Sequence, residues 1–287
     1  MKLSIITINY NNAAGLKKTL DSVALQSCTD FEYIVVDGAS TDGSVDIIRE
    51  FEQDLASRIS PLASRLKWLS EPDTGIYNAM NKGVRLAKGE YTLMLNSGDY
   101  LVDENVIGKV LPLLDGTDII QGNTIEDIND KKFRNRGYGK SDIDFFDVMK
   151  GFFLHQASFC RRDMFDKYGM FDESYRIIGD TKFFMICLGK ENASFKYVDV
   201  DVANYDIHGI SAETNGEWAR LRMVERQKMR EELYSDRLNV FFTENDKKIR
   251  LYNQLHRHKW IWILVMAVAH ISNWFYPLNP TIKKEKI

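Results

Sequence analysis

A short apolar run stopped by a turn and a carboxylate, Tyr91-Thr-Leu-Met-Leu-Asn-Ser-Gly-Asp99, sets the frame into which the rest of the chain must fit. Tyr91 to Leu95 is apolar on both faces, as a strand covered by helices on each side would be. Asn96, Ser97 and Gly98 end it, which leaves Asp99 beyond the carboxyl end of the strand, where open α/β sheets meet their ligands. The same four residues also suit an ordinary turn, so the neighbouring segments must decide.

Those neighbours repeat one pattern. Leu3 to Ile8 reads as a buried strand, Asn9 to Asn12 as its loop, and about Ala14 to Ser27 as a helix. Phe31 to Val36 is a second strand, and the turn-rich Asp37 to Ser44 opens a helix near Val45 to Phe51. Asp37 can accept hydrogen bonds from a ring N–H or a ribose hydroxyl, and the small residues after it admit a flat ring, while Ser40 or Thr41 also suits a helix cap. After a helical segment around Gln53 to Ser64, the strand Leu66 to Leu69 leads into Glu71 to Gly83, a loop entering a helix. Gly75, Asn78, Asn81 and Lys82 suit a diphosphate there; an exposed helix with a solvated Lys82 is the alternative. Three βα units with polar loops at one sheet edge predict a nucleotide-binding α/β half.

Four blocks now carry a resemblance. Thr7-Ile-Asn-Tyr-Asn-Asn12, Val35-Val-Asp-Gly-Ala-Ser-Thr-Asp-Gly-Ser44, Asp73-Thr-Gly-Ile-Tyr-Asn-Ala-Met-Asn-Lys-Gly83 and Leu95-Asn-Ser-Gly-Asp99 resemble, in order and spacing, the family 2 glycosyltransferases of the GT-A fold. The resemblance implies a Rossmann-like mixed sheet flanked by helices, and inverting transfer from a nucleotide-diphosphate sugar, UDP favoured, with Mn²⁺ or Mg²⁺. It implies nucleotide-sugar contacts from Thr7, Asn9, Tyr10, Asp37, Ser40, Gly75, Tyr77, Asn78, Asn81, Lys82, Asn96, Ser97 and Gly98, with Asp99 holding the metal. The family commonly carries Asp-x-Asp at the last block, whereas this chain has a single carboxylate; Mg²⁺ keeps waters and substrate phosphates as ligands, so one is sufficient.

In the second half, Asp118 to Ile125 reads as a strand, Glu126 to Lys140 as an exposed hairpin or loop, and Phe152 to Phe159 as a strand interrupted by His155 and Gln156. A histidine in such a run suits a core position. The family counterpart lies beside the acceptor, which makes His155, Gln156 and Gly179 the acceptor-side candidates. Ile177 to Phe184 resembles the segment bearing the family's catalytic carboxylate: Asp180 would stand at the start of a helix, Thr181 to Leu188, as cap or as general base. The family often has Glu-Asp where this chain has Gly179-Asp180. Lys196 to Tyr205 alternates like an edge strand, and Asp206 to Ser211 follows as a loop closing over donor. In that loop the resemblance makes His208 a metal ligand, against the alternative of a surface histidine.

These readings divide the chain into a glycosyltransferase domain over 1–215 (donor half 1–100, acceptor half 101–215) and a helical extension over 216–287. Charge follows that division: Arg220 to Ile287 holds 14 basic and 7 acidic residues, hence +7, leaving −10 of the total −3 for the first 219. Within the extension, 259–276 is apolar almost all round with aromatics at both ends and cationic flanks, which suits a helix on a membrane surface; packing on a second copy of the chain or on the protein's own core, and a membrane span for which the run is short, are the alternatives. Its aromatics are not interleaved with cations, which speaks against nucleic acid. Cys28, Cys160 and Cys187 form neither a disulfide framework nor a zinc pattern, and the run Leu3 to Ile8 is too short for a signal peptide, so the expected setting is cytoplasmic, at the inner membrane face. Two rival functions remain. A sugar-nucleotide pyrophosphorylase needs a glycine-rich basic loop that Asn9 to Asn12 does not supply, and a non-catalytic nucleotide-sugar-binding scaffold would read the missing acids as losses.

Overall fold

The computed structural model describes residues 1–234, apart from 129–130, 145–146, 149–150, 152, 208 and 210–214. The chain forms two compact units, Met1–Met229 and Arg230–Ile287, and of the second only the residues through Tyr234 are described. The apolar run 259–276 and the proposed metal ligand His208 therefore lie outside the described residues.

Strands β1 (Leu3–Asn9) and β2 (Phe31–Asp37) are buried at every position, which is why they read as continuous apolar runs. Helix α1 (Ala13–Ala24) follows β1, and α2 (Ser44–Ser57) follows β2. Strand β3 (Leu66–Ser70), helix α3 (Ile76–Leu86), strand β4 (Tyr91–Met94) and the short β5 (Tyr100–Leu101) complete the first half. Helix α4 (Val106–Val110) leads to β6 (Ile119–Ile128) and its hairpin partner β7 (Lys131–Asn135). Then come β8 (Ser158–Arg161), α5 (Asp163–Tyr168), α6 (Gly179–Phe184), β9 (Phe195–Tyr205) and α7 (Glu217–Leu233).

The strands form one mixed sheet in the order β3-β2-β1-β4-β8-β6-β9-β5, with β7 paired to β6. β3, β2, β1 and β4 are parallel, and β8 joins β4 antiparallel. The register sets Asn9 opposite Asp37 and Asp37 opposite Ser70, so the loops after β1, β2 and β3 leave the sheet level with one another. The chain order reverses between β1 and β4, and that reversal opens a crevice at the carboxyl edge. Helix α3 lies so close over β1 that a Cβ at Gly83 would come 2.3 Å from Ile6 Cγ2.

Four local expectations need correction. α2 runs unbroken to Ser57, followed by a 3₁₀ turn at Ala63–Arg65, and its first amide is held by Asp42 Oδ1, not by Ser40 or Thr41. His155 is on a 3₁₀ turn, His155–Ala157, not a strand; Ser158 Oγ closes that turn by donating to Leu154 O. α6 begins at Gly179 and passes into a π-helical stretch, Met185–Lys190, so Asp180 is in the first turn and does not cap it. β9 is interior, between β6 and β5; its alternation reflects one face on the core and one face where Asp199 and Asp201 accept from Asn123 Nδ2.

Candidate active site

At the β1–β3 end of the crevice, Asp37 is wholly buried and every acceptor position of its carboxylate is engaged. Oδ1 accepts from Asn9 Nδ2 (2.8 Å) and Ser40 Oγ (2.6 Å), Oδ2 from Ser40 N (2.9 Å) and Ser70 Oγ (2.6 Å). Burial raises its pKa, but these hydrogen bonds outweigh burial and hold it below the usual range. The structure therefore uses Asp37, Asn9 and Ser40 to shape the loop floor. The surface above is Tyr10, 67% exposed, with Gly38 and Asp73: a Cβ at Gly38 would lie 2.5 Å from Asp73 Oδ2 and 3.1 Å from the Tyr10 ring. Asp73, whose Oδ1 accepts from Gly75 N, was legible only as part of its motif.

Nearer the strand reversal, Thr7 is pulled inside: its hydroxyl donates to Leu95 O (2.7 Å) and meets Tyr33 OH (2.9 Å), so its side chain stays in the core away from the crevice. Ser97 is stitched to the first loop through Asn12 Nδ2 and Ile8 O. Gly98 has φ of 105°, and a Cβ there would sit 2.7 Å from Asp206 Oδ2. Asp99, 5% exposed, accepts from the Asp206 amide (2.9 Å) and is pushed up to about 7, by burial first and by the Asp206 charge, against the opposing effect of His155 and a Gln156 hydrogen bond. Asp206 was not singled out in the sequence; its position just after β9 is the only signal.

His155 joins the two acids. Its Nδ1 is 3.0 Å from Asp180 Oδ2, its Nε2 faces Asn96 Nδ2 at 3.3 Å, and its charge acts on Asp99 as well. The remaining Asp180 oxygen, Oδ1, accepts from Tyr77 OH at 3.0 Å. Burial raises the Asp180 pKa, but His155, the Thr181 amide and Tyr77 together bring it below the ordinary value; for His155 burial lowers the pKa and Asp180 and Asp99 more than restore it. Asn96 Oδ1 is buried without a partner. Turning that amide would give it the Nε2–H of a doubly protonated His155, the form the two carboxylates favour. Tyr77 thus belongs to the Asp180 cluster, and Gly179 explains itself here: a Cβ at 179 would be 2.7 Å from the Tyr77 ring.

On α3, Asn78 and Asn81 donate to the two oxygens of Glu173, each at 2.8 Å, and Lys82 reaches Glu71 (2.8 Å) and Pro72 O. Gly75, with φ of 140°, opens that helix. Glu173 tethers the donor half to the segment that precedes Asp180.

The chain matches the family model described as glycosyl transferase family 2 over residues 4–169, more than half its length. The chain belongs to glycosyl transferase family 2. It is 34% identical over 209 residues to a Mycobacterium tuberculosis protein named PGL/p-HBAD biosynthesis glycosyltransferase, covering 72% of this chain and 77% of the relative. Among solved structures it resembles residues 1–349 of S. aureus TarS in complex with UDP-GlcNAc (TM-score 0.60, 21% identity, 77% of this chain) and spans 61% of that chain. A Pyrobaculum calidifontis mannosyltransferase, PcManGT, in complex with GDP-Man and Mn²⁺ aligns with a TM-score of 0.55 and 16% identity over 97% of this chain and 88% of that one. The family 2 assignment makes this chain a glycosyltransferase with the GT-A fold. Its donor set fits a hard cation only in part: Asp99 and Asp206 offer carboxylate oxygens, and the Asp206 amide donates to Asp99 Oδ1 at 2.9 Å. Among the described residues no group of three or more His, Cys, Asp and Glu side chains forms a complete cage, so waters and donor phosphates would have to complete it.

Proposed function

We propose that the chain transfers a sugar from a nucleotide-diphosphate sugar, UDP-linked in preference, onto a hydroxyl of a glycan or lipid-linked acceptor, with inversion, in assembly of a cell-envelope glycan. The observation that carries the reading is His155, which meets Asp180 through Nδ1 and, through Nε2, Asn96 of the turn that bears Asp99, so two motifs far apart in sequence face one another. Tyr77 and His155 each engage one lone pair of an Asp180 oxygen, and the side chain is 15% exposed, so a further lone pair remains for an acceptor hydroxyl. As that hydroxyl oxygen bonds to the anomeric carbon and the bond to the diphosphate breaks, its proton passes to Asp180. A carboxylate of low pKa suffices, because the hydroxyl becomes strongly acidic as the new bond forms. Asp99 and Asp206 would hold Mn²⁺ or Mg²⁺, which when bound neutralises charge on the departing diphosphate. Tyr10, Gly38 and Asp73 receive the nucleoside above the floor built on Asp37. A relative named as a biosynthesis glycosyltransferase and a structural neighbour in complex with UDP-GlcNAc support sugar transfer from a nucleotide-sugar donor, and the basic tail supports attachment to the inner membrane face.

The test uses nucleotide release from a panel including UDP-GlcNAc and GDP-mannose, with donor binding followed by thermal shift in Mn²⁺. Asp180→Asn should lower turnover by about 10³-fold and leave the donor-induced shift intact. Asp99→Asn should remove the Mn²⁺-dependent part of that shift. Wild-type turnover in Asp180→Asn would overturn the reading.

A further inference from the structure

The segment Ser174 to Ile178, which leads directly into α6 and Asp180, is held by a helix from much later in the chain. Glu225 of α7 is only 5% exposed, and its carboxylate accepts three successive backbone N–H groups: Arg176 (2.6 Å), Ile177 (3.0 Å) and Ile178 (3.1 Å). Trp218 and Lys228 share that face of α7 by helical spacing. The Arg176 guanidinium lies 5.4 Å from the Trp218 ring, while Lys228 Nζ bonds Ser174 Oγ at 2.9 Å and stands 4.4 Å from the Tyr175 ring. Met223 and Val224 point away, 72% and 64% exposed, and the buried residues of α7 are Glu225 and Met229, so a carboxylate is buried in the docked face beside one apolar side chain.

For adhesion alone a carboxylate is a poor choice, since taking a charge out of water is costly and an apolar side chain would pack as well. What three convergent charge-assisted bonds add is direction. We propose that Glu225 is a positioning residue for sugar transfer: by fixing the amides of Arg176, Ile177 and Ile178 it sets where Asp180 stands relative to His155 and Tyr77. The proposal rests on the reading of Asp180 as the base. A displacement of about 1 Å at a reacting group costs on the order of 10²-fold in rate, so the helix that begins the C-terminal extension is part of the catalytic apparatus without touching substrate.

The experiment compares full-length wild type, Glu225→Gln, Glu225→Ala and Asp180→Asn. Glu225→Gln keeps the shape and one acceptor oxygen. Amide exchange needs no substrate: peptides spanning 174–178 should exchange at least about tenfold faster in Glu225→Gln, with β1 to β4 unchanged. Nucleotide release with the donor chosen by the panel should show kcat reduced by about 10- to 100-fold and donor KM within about twofold, Ala worse than Gln. Unchanged kcat in Glu225→Gln beside an inactive Asp180→Asn would overturn the positioning role alone. Loss of kcat together with donor binding and global protection would make Glu225 merely structural and overturn it too. An active Asp180→Asn would instead sink the reading of the site.

Discussion

Asp180 is kept ionised by its neighbours, and each neighbour has its own pH signature. The Asp180 pKa is lowered from 3.8, so its contribution to stability is present above that value and is lost as pH falls through the folded pKa. The His155 pKa is raised from 6.5, so its contribution is complete below 6.5 and is lost as pH rises through the folded value. Asp180 is the charged partner of this ring below pH 6.5, because Asp99, pushed up to about 7, is largely protonated there and adds its charge only at higher pH. Urea denaturation of wild type and His155→Gln should therefore differ most between pH 3.8 and 6.5, by about 3 kcal/mol, and converge as pH rises further. Gly179→Ala is a second check. Its new Cβ would drive the Tyr77 ring away from 2.7 Å, costing about 1–3 kcal/mol and lowering turnover, with donor binding retained. The acids were legible in sequence because they end recognisable motifs; Tyr77's attachment to Asp180 was not, because only folding brings residues 103 apart into hydrogen-bond range.

At the opposite end of the sheet from the crevice, Glu32 sits inside β2 at 2% exposure, a charge in a strand that otherwise reads as core. It accepts from Ser4 Oγ (2.7 Å) on β1, Lys67 Nζ (2.7 Å) on β3, and the Lys88 and Gly89 amides in the turn between α3 and β4. One carboxylate on β2 thus binds β1, β3 and the α3–β4 turn, and it supports the register that sets Asn9, Asp37 and Ser70 level. Burial raises its pKa, but Lys67, Ser4 and Lys88 outweigh that and leave it below 4.5, so its contribution is present above 4.5 and lost as pH falls. Glu32→Gln should lower stability at pH 7 by about 1–3 kcal/mol, a penalty that shrinks below pH 4 when measured by thermal unfolding across a pH series. Strand periodicity revealed β1, β2 and β4 since both faces are covered, and β3 as a short half-buried run at the sheet edge. It misjudged β9 and the His155 turn, where polar partners from other elements, Asn123 on one side and Asp180 on the other, replace the apolar neighbours that periodicity assumes.

At the scale of the molecule, α7 keeps the first compact unit going to Met229, past the boundary at 215 expected from the sequence. The remaining charge asymmetry therefore has to act outside that unit. No helix among the described residues is long and apolar enough to cross a membrane, and the apolar run 259–276 with its cationic flanks is the segment we propose binds an anionic lipid surface. Each Lys or Arg near such a surface contributes about 1 kcal/mol at physiological salt, and the attraction is screened over about 8 Å at 0.15 M. Full-length protein should sediment with vesicles containing about one third phosphatidylserine and stay in the supernatant with neutral vesicles at 0.15 M salt. Raising salt should release it only in part, because the aromatic and aliphatic side chains of 259–276 add an apolar contribution that salt does not screen. A chain ending at Tyr234, which keeps Glu225 and all of α7, should lose vesicle binding and retain nucleotide release from a soluble donor. Equal sedimentation of the two chains would move the membrane contact into the first unit, and a concentration-dependent shift in mass without vesicle binding would assign 259–276 to a second copy of the chain.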